Sequence, residues 1–132
     1  MKKLTKNAAV LFLGVFILFS SFMPQGNKWD LLGTRGVKWN MDHDEILVTA
    51  SEGKFDALKV KILHGNLNMK KMVVHFKNGG KQEIELRNNF KAGSESRVIN
   101  LTGDDRIIRK VDFWYETKNH SKKSIVQLWG KH

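Results

Sequence analysis

Cysteine is missing from all 132 residues, and proline occurs once, at Pro24. Without cysteine there is no disulfide, thiolate zinc site, thiol nucleophile or Cys-x-x-Cys redox pair, and no amino-terminal cysteine to carry a lipid. A fold built from this chain is therefore held by packing alone. Helical periodicity is also missing: no stretch of 12 residues carries a convincing apolar stripe of 3.6-residue period. The five histidines (His43, His64, His75, His120, His132) show no H-x-x-x-H spacing, and Gly93-Ser94-Glu95-Ser96-Arg97 lacks the glycine frame of a nucleophile elbow. No catalytic residue, metal ligand or cofactor is assigned from these patterns.

What is present begins at the amino terminus. Lys2, Lys3 and Lys6 precede an uncharged run from Ala8 to Met23 rich in leucine, phenylalanine, isoleucine and valine. A basic start followed by a short apolar stretch is the build of a secretory signal. At about 1.5 Å per residue the run covers roughly 24 Å as a helix, short of a hydrocarbon core of about 30 Å. Cleavage after Ser21 would put Phe19 at −3, and cleavage after Gly26 would put Pro24 there, so neither site has the small residues a peptidase prefers. Residues 1–26 are read as a signal peptide or a retained anchor, and 27–132 as one domain that is periplasmic or secreted. Membrane contact is expected only if the leader stays.

Charge separates classes of partner. The whole chain carries a formal +10, and residues 27–132 still hold 20 basic against 13 acidic side chains. Such a surface attracts acidic polysaccharide or lipid headgroups. Nucleic acid is not expected for an exported protein.

Past the leader the periodicity is two. Leu58, Val60 and Ile62 alternate with Lys59 and Lys61; Met72, Val74 and Phe76 with Val73, His75 and Lys77; Ile84 and Leu86 with acidic neighbours; Val111, Phe113 and Tyr115 with Asp112, Trp114 and Glu116. Glycine and asparagine clusters separate these runs. The pattern predicts strands over 29–32, 35–38, 45–50, 57–63, 71–77, 82–87, 97–101, 107–116 and 124–129. Short strands with a turn signal every 8–12 residues point to a single antiparallel β-sandwich, jelly-roll-like, with a partly closed barrel as the alternative. A three-residue Asn78-Gly79-Gly80 loop would set Val74 opposite Ile84, Met72 opposite Leu86 and His75 opposite Glu83.

Three groups of residues could carry function. Trp114, with Asp112 and Glu116 on the polar face of its strand, could stack on a sugar. Arg97, Arg106 and Arg109 flank Asp104 and Asp105, either clamping that turn through fork-geometry ion pairs or converging on an external anion. Asp42-His43-Asp44-Glu45 is the densest acidic cluster, though only two positions fit a calcium loop and the turn glycine is absent.

Val74-His75-Phe76-Lys77-Asn78-Gly79, Ser96 to Leu101, Arg106 to Tyr115, Leu32-Gly33 and Leu128-Trp129-Gly130 together resemble a family of small exported bacterial proteins of unknown function, the YaaI-type proteins among them. Thr102 stands where that family tends to have proline. The resemblance implies a bacterial, exported, β-rich domain and supplies no active site. The leading functional expectation is a non-catalytic binding or structural module of the cell envelope, with an anionic glycan or lipid headgroup as ligand. The competing expectation is a glycan hydrolase using Asp42, Asp44 or Glu45.

Overall fold

The computed structural model describes residues 28–37, 42–49, 52–103, 105–116 and 124–132. Among the described residues nine strands follow one another: β1 (Trp29–Gly36), β2 (His43–Leu47), β3 (Lys54–Phe55), β4 (Ala57–Leu63), β5 (Leu67–Phe76), β6 (Lys81–Phe90), β7 (Ile99–Asn100), β8 (Arg106–Tyr115) and β9 (Ile125–Lys131). They form a four-stranded sheet, β1-β9-β4-β7, and a five-stranded sheet made of β2-β8-β5-β6 with β3 as its fifth strand, paired to β8. All pairs are antiparallel.

The order has a simple logic. β5 and β6 form the central hairpin, β4 pairs with β7, β2 with β8, and β1 with β9. Earlier strands thus meet later ones in nested order, as when one long hairpin wraps on itself, which is jelly-roll winding. The two sheets pack face to face and do not close into a barrel, so the barrel alternative is set aside.

The inward positions follow the predicted alternation. Leu58, Val60 and Ile62 face Met72, Val74, Val111 and Phe113 across one core, all nearly or fully buried. Each such aliphatic side chain contributes about 1.5–3 kcal/mol through burial, so this core can replace the missing disulfides. Two bulges break the alternation. One between Met69 and Lys71 lets Leu67 and Met69 face inward out of phase with Met72, and one between His75 and Phe76 does the same for Ile108 and Val111 of β8. That is why β5 begins four residues before the predicted start. β1 is one bulged strand rather than the two expected over 29–32 and 35–38, with the shift between Leu31 and Gly33. A Cβ at Gly33 would overlap the Ile46 side chain of β2, so glycine admits the contact at that edge.

The hairpin register requires a correction. Gly79 N donates to Phe76 O and Phe76 N donates to Gly80 O, closing a loop of Lys77, Asn78 and Gly79. Gly79 takes the left-handed φ of +97° that the third position of this loop demands. Met72 therefore opposes Ile84, and Val74 opposes Gln82. Val74 and Ile84 share the core face as expected, but as diagonal neighbours; His75 opposes Lys81, and Glu83 opposes Val73.

Candidate functional site

Three surfaces of the sandwich collect the chemistry. The first is the outer face of the five-stranded sheet, where the β8 register puts Trp114 between His43 of β2 and Lys71 of β5. The His43 ring stacks on Trp114 at 4.6 Å between centroids, and Lys71 Nζ sits 4.8 Å from the indole centroid. Because these partners come from opposite flanking strands, both faces of the indole are covered. Trp114 does lie on the polar side of its strand, but it offers an edge rather than an open stacking face.

One row along, Asp112 is buried although it points outward. His75 Nε2 lies 2.8 Å from Asp112 Oδ2, with His43 Nε2 at 3.7 Å and Lys110 Nζ at 3.8 Å from Oδ1. Lys110 also reaches Glu45 at 3.2 Å, and Lys71 reaches Glu83 at 3.7 Å. The charges of this face are thus largely matched within it.

The carboxylates of the 42–45 segment do not converge. Asp44 and Glu45 are successive residues of β2 and project to opposite sides of the sheet. Asp44 faces inward and accepts a 2.7 Å bond from Arg35 Nε, whereas Glu45 joins Lys110 outside. A small cleft of about 260 Å³ beside β1 and β2 includes Glu45 and neither aspartate. Behind Asp44 the Tyr115 phenol is pushed up to about 12, chiefly by burial and further by the charges of Asp44 and Asp42, with Arg35 opposing. Among the described residues no group of three or more acidic or histidine side chains is arranged to hold a metal ion.

The second surface is the start of β8. The three arginines named from sequence do not meet, and none pairs with Asp105 or Asp112; Asp104 lies outside the described residues. Arg97 donates to the Glu85 carbonyl at 3.1 Å, and Arg109 is exposed with no side-chain partner among the described residues. Arg106 bonds the Thr102 carbonyl at 2.5 Å and Asn78 Oδ1 at 3.4 Å, with its guanidinium 3.7 Å from the Phe76 ring centroid. It does hold the turn, but through carbonyl, amide and ring contacts rather than an ion pair. Eight residues of β8, roughly 26 Å at about 3.3 Å per residue, separate it from Trp114, so the four residues do not form one site.

The third surface is the outer face of the four-stranded sheet, and sequence reading did not single it out. Trp129 of β9 stands between Leu31 of β1 and Lys59 of β4, and Trp29 occupies the next row opposite Lys131. Trp129 Nε1 donates to Gln127 Oε1 at 3.2 Å, and Lys59 Nζ lies 4.5 Å from the Trp29 ring centroid. Leu31 is 43% exposed. Lys59 pairs with Glu95 at 3.2 Å, but Lys61 and Lys131 have no acidic partner within 4 Å among the described residues. The signal available in sequence was the alternation Ile125, Gln127, Trp129, Lys131, which places these side chains on one face. It was missed because that face is completed by Trp29, a hundred residues away.

Comparisons with known proteins bear on fold and family. AlgX of Pseudomonas aeruginosa is similar at 15% identity with a TM-score of 0.53, over 81% of this chain and 27% of its own; this chain thus spans little more than a quarter of that protein. At that identity the likeness concerns the fold alone. YomS, derived from the SPBc2 prophage, gives 15% identity, a TM-score of 0.43, and coverage of 80% and 92%. CBM86 from Roseburia intestinalis, a low-affinity xylan-binding module, gives 15% identity, a TM-score of 0.38, and coverage of 79% and 83%. No curated protein matches the chain in sequence. The pattern of the family described as domain of unknown function DUF2541 matches residues 9–130, and the chain belongs to that family.

Proposed function

We propose that this protein is a non-catalytic module that binds an anionic glycan outside the cytoplasm. The observation that carries the reading is Trp129, set mid-face between Leu31 and Lys59 with Trp29 one row on and the uncompensated Lys61 and Lys131 beside it. An indole surface takes the C–H face of a sugar ring, while lysine ammonium and the Gln127 amide suit hydroxyl and acidic groups. The spare positive charge favours an acidic polymer over a neutral one. Export supports the setting and rests on the basic, apolar leader, which lies outside the described residues.

The test is affinity electrophoresis of the folded protein in gels cast with acidic or neutral polysaccharides. Retardation by an acidic polymer, reduced about tenfold in Trp129→Ala and Trp29→Ala but not in Trp114→Ala, is the expected result. Equal retardation of the Trp129→Ala protein would remove the reading, and capture by anionic vesicles without any glycan effect would replace glycan by lipid. For the setting, recovery of the full-length chain in the cytosol, free of membrane, would overturn export.

A further inference from the structure

At the pole where β3 meets the β5–β6 turn, a cleft of about 400 Å³ is lined by Lys54, Lys77 and Arg106, with Ile107 beside them and the buried Phe76 ring behind the guanidinium. Among the described lining residues Asp105 contributes the one negative charge against three cations. Neither Lys54 nor Lys77 has an acidic partner within 4 Å among the described residues. Arg106 is held before any ligand arrives, its guanidinium over Phe76 at 3.7 Å from the ring centroid and bonded to Thr102 O and Asn78 Oδ1. Those bonds use two of its five N–H groups, leaving three for a ligand. Gly103 makes room for the arrangement, since a Cβ there would lie 3.2 Å from Arg106 Cδ.

We propose that this cleft is a second binding site, a subsite that receives one carboxylate-bearing sugar residue. A guanidinium with its orientation already fixed loses little entropy on pairing with a carboxylate, and its fork matches the two oxygens. The two lysines add attraction without fixed geometry. Half-buried Ile107 offers apolar contact to the ring that carries the acid, while Phe76 backs the guanidinium. The site deepens the glycan reading and rests on it for the polymer, whereas its recognition of the acid stands on the cleft.

The experiment is NMR titration of the full chain with glucuronate, glucose and inorganic phosphate at matched ionic strength, following the amides of Asn78, Gly79 and Ile107. Glucuronate should shift these amides, glucose should not, and phosphate should compete only weakly. Arg106→Gln should weaken glucuronate about tenfold. If that variant does not fold, the paired Lys54→Gln and Lys77→Gln changes decide: weakened binding supports the site, and unchanged binding overturns it. Glucose acting as well as glucuronate, phosphate displacing glucuronate at equal concentration, or unaltered binding by folded Arg106→Gln would each overturn the proposal. Trp114→Ala, outside both surfaces, should leave the glucuronate-induced shifts of Asn78, Gly79 and Ile107 unchanged. Glucuronate binding without any polymer binding would retire the glycan reading while this site stood.

Discussion

The Phe55 ring fills the space that a side chain at Gly130 would need. A Cβ at position 130 would lie 2.7 Å from Phe55 Cδ1 and 2.8 Å from Leu32 Cδ1. Phe55 is fully buried and Gly130 sits between Asp30 and Leu58 in the sheet, so neither neighbour can withdraw without opening the core. Gly130→Ala should therefore destabilise the domain by about 1–3 kcal/mol, the cost of overpacking. Gly36→Ala is the control, because nothing lies within 4 Å of its Cβ position. Denaturant midpoints of the two variants check the contrast.

Asp112 is the hub of the outer face of the five-stranded sheet. Removing its carboxylate takes the 2.8 Å partner from His75 and the nearby counter-charge from Lys110. Those partners keep some access to water, so Asp112→Asn should cost about 1 kcal/mol. Urea unfolding measures it, and glycan retardation should be unaltered because this face is not the proposed glycan surface.

Tyr115 is the sole tyrosine, which makes its ionisation visible by absorbance. Its folded-state pKa of about 12 lies above an ordinary value of about 10. The neutral phenol is thus favoured by folding: the contribution is full below pH 10 and is lost as pH rises through 12. A titration midpoint near 10 in the folded protein would contradict the burial of the ring. In denaturant the midpoint should fall to that ordinary value.

Gly79 carries the hairpin. Its φ of +97° lies in the region that side chains avoid, so Gly79→Ala should cost about 1 kcal/mol or more. Val74→Asp should unfold the domain, since Val74 is fully buried, whereas His75→Gln, which keeps a donor for Asp112, changes a half-buried residue on the solvent side. Circular dichroism melts separate the two. A folded Val74→Asp protein would contradict the packing.

The alternation of β4 and β8 made both strands legible, because half-buried strands must alternate, and it put Trp114 on the correct side of β8. The hairpin register was not legible. A shift of two residues leaves every side chain on its own face, so alternation cannot separate Val74 opposite Ile84 from Val74 opposite Gln82. Loop closure between Phe76 and Gly80 makes that choice. The short pairing of Lys54–Phe55 with β8 was likewise invisible, since two residues carry no period.

By itself the sequence determined the all-β class, the inward faces of the main strands, the reliance on packing without disulfides and the positive charge. These depend on composition and on neighbours one or two residues apart. Tertiary structure alone decided which strands lie side by side. It brought Trp29 onto the face of Trp129, covered both sides of Trp114, separated Arg97, Arg106 and Arg109, and gathered Lys54, Lys77 and Arg106 around one cleft. Jelly-roll winding pairs early strands with late ones, so each of these surfaces is assembled from residues far apart in the chain, and no local pattern contains it.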